Sequence, residues 1–339
     1  MKPWLWLPAR LAHDLSPLAL RSLAAVRAPH VPRWRPLVWR GLSFDNPLGL
    51  AGGVDKDGSG VRGWWALGAG FVEVGTVTPL PQRPNPGVIM ERDLPARALW
   101  NKMGFPSVGA ERVARALRRL PRPHATPVFV NVGKNRDTPN ELAAGDYVAC
   151  LHRLAGLADA FVINVSSPNT KGLRDLQGPS HLREFLRPIV AERDAQEKPV
   201  PLLLKLSPDL DAEGIRRAAE QALDLGVDGF VTTNTTLARE STSVFPAHEG
   251  GVSGAPLAER SKAALRELLT ALGPRRAGLL VVSVGGVLSA ADAIERLEMG
   301  ADLVQAYSAL VFEGPRFFAQ AAKDARALDA AAASFRKTL

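Results

Sequence analysis

Short apolar runs along this chain end repeatedly in residues able to do chemistry. They are Asp55 and Lys56, Thr76, Asn131, Asn164 with Ser166 and Ser167, Lys205, Thr233 with Asn234 and Thr235, and Tyr307 with Ser308. Any one of them reads equally well as a turn residue or a helix cap. Two lysines and three asparagines gathered at one place are harder to dismiss, because buried ammonium and amide groups are costly without a polar ligand. Together they suit a flat, polar, anionic ligand. A second set suits phosphate: Gly250-Gly251-Val252-Ser253-Gly254 ahead of a helical stretch, and Ser283-Val284-Gly285-Gly286 closing an apolar run. Glycines there let backbone N–H groups and helix N-termini approach phosphate oxygens.

The elements that must position these residues alternate β-branched runs with helical stretches from Leu48 onward, the pattern of parallel βαβ units. Eight strands are expected: Leu48 to Ala51, Phe71 to Gly75, Val128 to Val132, Phe161 to Val165, Leu202 to Leu206, Phe230 to Thr233, Leu280 to Val284 and Leu303 to Ala306. Three joins repeat one device, a helix ending on a glycine (Gly68, Gly226, Gly300) just before a buried strand. Eight units predict a (β/α)8 TIM barrel, whereas a doubly wound sheet more often stops at five or six strands. Barrels bring strand C-terminal ends to one mouth and commonly place phosphate after strands seven and eight. Residues 37 to 47 predict a short strand closing the floor, and the proline-rich residues 78 to 107 a long insertion shaping the mouth.

Composition narrows the function. The 339 residues are 46% hydrophobic and 22% charged, an ordinary globular balance. A single cysteine, Cys150, excludes an internal disulfide and reads as a buried structural thiol. The six histidines show no paired metal-ligand spacing, so no metal site is expected. Within residues 1 to 40, seven basic residues face Asp14 alone, so six of the eight net positive charges lie there. That asymmetry speaks against a nucleic-acid groove over the body and for a local patch meeting an anionic surface. No uncharged apolar run reaches the roughly 18 to 20 residues of a bilayer span. A cleaved signal peptide fits poorly, since Arg10, His13 and Asp14 interrupt any apolar core, while an Arg-rich, acid-poor start stays compatible with a transit peptide.

Five motifs carry a resemblance to the dihydroorotate dehydrogenases, specifically their membrane-associated, quinone-dependent class 2. They are Gly49-Leu50-Ala51-Gly52-Gly53-Val54-Asp55-Lys56-Asp57-Gly58, Glu73-Val74-Gly75-Thr76-Val77-Thr78-Pro79, Asn101-Lys102-Met103-Gly104-Phe105, Asn164-Val165-Ser166-Ser167-Pro168-Asn169-Thr170 and Thr233-Asn234-Thr235-Thr236. The match runs in order from about Phe44 to Pro315, with Lys102 where arginine and Gly52 where alanine is usual.

The resemblance implies oxidation of dihydroorotate to orotate in de novo pyrimidine biosynthesis, with FMN as hydride acceptor and a membrane quinone receiving the electrons. Such a reaction needs a base for the acidic C–H and an acceptor for the hydride. By the same resemblance Ser167 is the base, where soluble relatives carry cysteine, and Thr170 with a water, walled by Phe105, is its proton route. FMN would lie against Gly52, Gly53, Val54, Asp55, Lys56, Thr76, Asn131, Asn164, Lys205 and Thr233, its phosphate held by Gly254, Gly286, Tyr307 and Ser308. The substrate would meet Lys56, Asn101, Lys102, Met103, Gly104, Phe105, Asn164, Asn169, Asn234 and Thr235.

Residues 1–40 are expected to form paired short helices that reach membrane and quinone, with Trp4, Trp6, Leu11, Leu15, Leu18 and Leu23 on apolar faces. A plain helical cap on the barrel floor is the blander reading. Residues 41–339 would be the FMN-binding barrel, peripheral to the cytoplasmic side of a bacterial inner membrane. A tRNA-dihydrouridine synthase is a rival FMN barrel, but it needs a catalytic cysteine on a strand-end loop and a basic C-terminal RNA-binding domain. A non-catalytic flavin-binding barrel is the other rival, against which Lys56, Ser167 and Lys205 all speak.

Overall fold

The computed structural model describes residues 3–178, 180–239, 245 and 249–338. After the N-terminal helix α1 (Ala9–Val26), a hairpin of β1 (Leu37–Trp39) and β2 (Leu42–Phe44) leads into β3 (Leu48–Asp55), α2 (Val61–Ala66) and β4 (Val72–Val77). Then follow β5 (Met90–Asp93), β6 (Ala98–Asn101), α3 (Ala110–Leu117), β7 (Val128–Val132), α4 (Ala143–Leu154), β8 (Ala160–Asn164), α5 (Leu182–Asp194) and β9 (Leu202–Leu206). The chain ends with α6 (Ala212–Asp224), β10 (Gly229–Thr232), β11 (Gly251–Gly254), α7 (Ala258–Leu272), β12 (Leu280–Val284), α8 (Ala290–Glu298), β13 (Leu303–Ala306), α9 (Ser308–Phe312) and α10 (Phe317–Thr338).

Eight strands close in the order β10-β12-β13-β3-β4-β7-β8-β9, all parallel, which is the expected TIM barrel. Both strand faces are buried, so strands read as nearly continuous apolar runs, as in Leu202–Leu206, where every residue is buried and Lys205 alone is polar. The three glycine joins have positive φ (Gly68 +91°, Gly226 +88°, Gly300 +112°), the geometry a left-handed helix stop needs.

Three expectations need correction. Residues 37 to 47 form the two-stranded antiparallel hairpin β1–β2, because Arg40 and Gly41 turn the chain with positive φ. The insertion after β4 carries strands: β5 and β6 pair antiparallel, and β11 joins them from some 150 positions away, making a three-stranded sheet. Residues 1 to 40 give a 3-10 turn (Pro3–Trp6) and one 18-residue helix running through Pro17, rather than a pair of short helices. A proline inside a helix costs about 3 kcal/mol. Leu20 buried in the main core and Leu23 packed against it offset that cost.

Candidate active site

Inside the barrel, side chains two apart on a strand stack in layers. One layer is charged and amide-bearing. Glu73 on β4 is wholly buried and accepts hydrogen bonds from Asn131 Nδ2 (2.6 Å), Gln305 Nε2 (2.6 Å) and Lys205 Nζ (3.2 Å). Asn164 at the end of β8 donates to Asn131 Oδ1 (3.0 Å) and Thr76 Oγ1 (3.1 Å), and accepts from Asn234 Nδ2 (3.2 Å). Every member is thereby oriented by its neighbour, which fixes donors that would otherwise rotate.

Above this layer opens a cavity of about 110 Å³. Of the residues expected at a site, it is lined by Gly52, Gly53, Lys56, Thr76, Asn101, Met103, Gly104, Phe105, Asn131, Asn164, Ser167, Asn169, Lys205, Asn234, Thr235 and Tyr307. Ser167 is buried, and its Oγ accepts the backbone N–H of Asn169 at 3.2 Å. Such a donor steadies negative charge gathering on that oxygen. Asn169 Nδ2 donates to Asn101 Oδ1 (2.8 Å), whereas Asn169 Oδ1 is buried without a partner. Lys56 Nζ donates to the Gly53 carbonyl at 2.8 Å.

Seven of the residues expected to touch flavin or substrate lie outside the cavity wall. Lys102 turns away to an ion pair with Glu249. Val54 and Asp55 line a neighbouring cavity of about 400 Å³, together with Leu20, Gln82 and Pro106. Asp55 accepts the Gly60 N–H (3.0 Å), and burial, reinforced by Asp57, pushes its carboxyl up to about 7. Thr233 bonds through its backbone N–H to Val284 O (2.8 Å). Gly254 and Gly286 hold backbone approaches that no side chain could share: a Cβ would meet Arg97 O at 2.1 Å or Ala258 Cα at 2.4 Å. Ser308 Oγ lies 3.2 Å from Ser253 Oγ. Close packing against the chain's own backbone thus accounts for both glycines, and the lysine and amide layer suits a flat anionic ring. Such a donor set fits the ring of a flavin.

Sequence reading left several residues unassigned. Glu73 and Gln305 carry the only polar side chains on Val-Glu-Val and Leu-Val-Gln-Ala runs, a signal visible in the text. Arg174 ties two loops of the mouth by donating to Ser166 O (2.9 Å) and Thr235 O (2.8 Å) while paired with Asp209 at 2.7 Å. Gly52 has its own reason: a Cβ there would fall 2.2 Å from Glu73 Oε1. Cys150 is buried in α4 with its thiol directed at Val77 O (3.7 Å), and burial raises its pKa, so it is no strand-end nucleophile.

Similarities to known proteins point to one family. A family model described as dihydroorotate dehydrogenase matches residues 38–327. The dihydroorotate dehydrogenase (quinone) of Acidithiobacillus ferrooxidans is 45% identical over 321 residues, covering 90% of this chain and 87% of that protein. Its namesake from Thermus thermophilus is 48% identical over 279 residues, covering 82% and 78%. A crystal structure of DHODH from Eimeria tenella in complex with ferulenol matches with a TM-score of 0.84 at 31% identity, covering 93% of this chain and 89% of that one.

Proposed function

The chain belongs to the dihydroorotate dehydrogenase family, and from that premise we propose how its residues divide the work. It oxidises dihydroorotate to orotate in pyrimidine biosynthesis and passes the electrons to a quinone. The carrying observation is convergence: Lys56, Asn101, Asn131, Asn164, Ser167, Asn169, Lys205 and Asn234, from widely separated stretches of sequence, border one cavity. The family is flavin-dependent, and FMN is the flavin proposed here; when bound, it supplies the hydride acceptor.

Ser167 takes the proton from the substrate carbon as its own hydroxyl proton passes to Thr170 and a water. The Asn169 N–H bonded to its Oγ steadies the negative charge on that oxygen during the exchange, and buried Phe105 walls the route from bulk water. Lys56 neutralises the substrate carboxylate, and Asn101, Asn164, Asn169 and Asn234 with Thr235 hold the flat imide edge. The unpartnered Asn169 Oδ1 is free to accept an imide N–H. Lys205, Asn131 and Thr76 face the flavin ring, with Glu73 holding the first two in place. Gly254, Gly286, Tyr307 and Ser308 hold its phosphate.

Residues 1–40 form the membrane and quinone-access segment in this reading, and residues 41–339 the catalytic barrel. The cavity behind α1, which shares Lys56 and Pro106 with the active-site cavity, is the approach for the quinone. The quinone-linked family associates peripherally with membranes, and among the described residues no helix is long and apolar enough to cross one. We place the protein on the cytoplasmic face of a bacterial inner membrane.

The test is anaerobic mixing of the purified yellow protein with dihydroorotate. Ser167→Ala should keep its flavin and reduce it about 10²- to 10⁴-fold more slowly. Full-speed reduction by that variant would end the base assignment, and a colourless but folded preparation would end the flavin reading. Removing residues 1–26, which carry α1 and spare the floor hairpin, should abolish quinone reduction while dihydroorotate still bleaches the flavin.

A further inference from the structure

Beside α1 lies a second polar cavity, of about 220 Å³, that the chemistry above does not use. Its wall is arginine from two elements. Arg112 and Arg115 on α3, with Arg119 just past its end, are spaced three and four apart, so they share one exposed face while Val113, Ala114 and Leu117 bury the other. Arg21 of α1 lines the same hollow. Setting like charges one turn apart is mildly destabilising, so the cluster is not explained by helix stability.

No carboxylate lies within ion-pair distance of any of the four among the described residues. Glu111 of α3 instead pairs with Arg153 of α4 at 3.1 Å. Asp57 is the one acid lining the cavity, and its Oδ1 is occupied by the Ser59 N–H at 3.1 Å. Ser59 Oγ, also on the wall, is buried and has no hydrogen-bond partner. Four guanidinium forks and a spare hydroxyl around one hollow match the oxygens of a phosphate.

We propose that this cavity binds the headgroup phosphate of an anionic phospholipid. The choice of a lipid over free phosphate follows from the neighbourhood. The hollow shares Asp57 and Val108 with the larger cavity behind α1, whose wall includes Leu20, Val54 and Pro84. Leu20 and Arg21 are adjacent on α1, so one helix presents an apolar group to one cavity and a guanidinium to the other. A phosphate site at the rim of an apolar opening is the shape of an amphiphile's site. Nearby on the same N-terminal segment, Trp6 is 73% exposed and Leu11 and Leu15 are exposed too, ready to enter the acyl region. The proposal rests on the reading that residues 1–40 face lipid, and adds that the barrel itself, through α3, grips the membrane surface.

Sedimentation of the full-length protein with phosphatidylcholine vesicles, with and without phosphatidylglycerol, tests it. The triple variant Arg112→Glu, Arg115→Glu, Arg119→Glu should lose at least about tenfold in binding to the anionic vesicles. A control of equal charge change on exposed arginines elsewhere, Arg187→Glu, Arg266→Glu and Arg316→Glu, should lose far less. The milder Arg→Gln triple at the same α3 positions should fall between wild type and the Glu triple. All should retain turnover with dihydroorotate and a water-soluble acceptor. Equal losses in the α3 and control triples would overturn the site, because only net charge would then matter. A wild-type melting temperature raised by inorganic phosphate, with vesicle binding unaltered in the α3 triple, would assign the cavity to a free anion and overturn the lipid. Wild type failing to bind anionic vesicles would remove the membrane reading and this site with it, whereas binding that survives the α3 triple removes this site alone.

Discussion

The floor and the mouth of this barrel are built by the same strands, two residues apart. Phe71 precedes Glu73, Phe129 precedes Asn131, Leu203 precedes Lys205 and Leu303 precedes Gln305. The first of each pair joins an apolar plug with Trp39 and Phe44 of the hairpin, where the Phe71 and Phe129 rings lie 5.2 Å apart, tilted by 42°. The second enters the hydrogen-bonded layer around Glu73 or borders the active-site cavity. A strand's period of two therefore carries the interior from a stability layer to a chemical layer in one step. The lesson is that a lone polar residue in an otherwise apolar strand is informative in proportion to how buried that strand is.

The division can be attacked from the floor first. Phe129→Ala should cost about 3–5 kcal/mol of stability, since nothing nearby can collapse into the space between Phe44, Phe71 and Phe129. Turnover per folded molecule should stay near wild type, read by denaturant melts alongside assays. A variant that kept its stability and lost turnover would show that floor and mouth are not separate. From the mouth, Lys205→Met combined with Glu73→Gln removes both members of a buried pair and leaves no stranded charge. Flavin reduction should slow about 10²- to 10³-fold with little change in melting temperature. If the double variant melted far lower while reducing flavin normally, the layer would be structural.

The same contrast explains what was legible. The eight barrel strands could be read because burial on both faces forces local apolar runs; of the strand-end residues, Lys56, Thr76, Asn131, Asn164, Ser167, Lys205, Asn234, Thr235 and Tyr307 border one cavity, whereas Asp55, Thr233, Gly286 and Ser308 do not. The β5–β6–β11 sheet could not, since Met90–Asp93 and Gly251–Gly254 look like loop and owe their pairing to partners distant in sequence. Glu73 was within a quoted motif and still went unassigned, because a residue that holds another residue has no local signature beyond its misplaced charge. That α1 is one helix was not legible either, because the contacts of Leu20 and Leu23 that support it lie with partners distant in sequence.

The smallest effect separates two buried aspartates. At the floor, Asp228 is paired with Arg193 (2.6 Å) and Arg40. At the mouth, Asp55 is held mainly by the backbone N–H of Gly60, with Lys56 offsetting little of the burial and the neighbouring Asp57. Its carboxyl, ordinarily near 3.8, is pushed up to about 7, so the folded state holds a proton that the unfolded chain has already released. The contribution of Asp55 to stability is thus fully present below about pH 4, declines as pH rises towards about 7, and is flat above. Asp55→Asn keeps an acceptor for Gly60 and cannot ionise. It should flatten the stability profile across that window and leave the variant about 1–3 kcal/mol better off than wild type at pH 8, relative to their difference at pH 4. Urea melts at the two pH values measure this, and an unchanged slope in the variant would mean that Asp55 is ionised in the fold and that a cation at the mouth compensates it as Arg193 does at the floor.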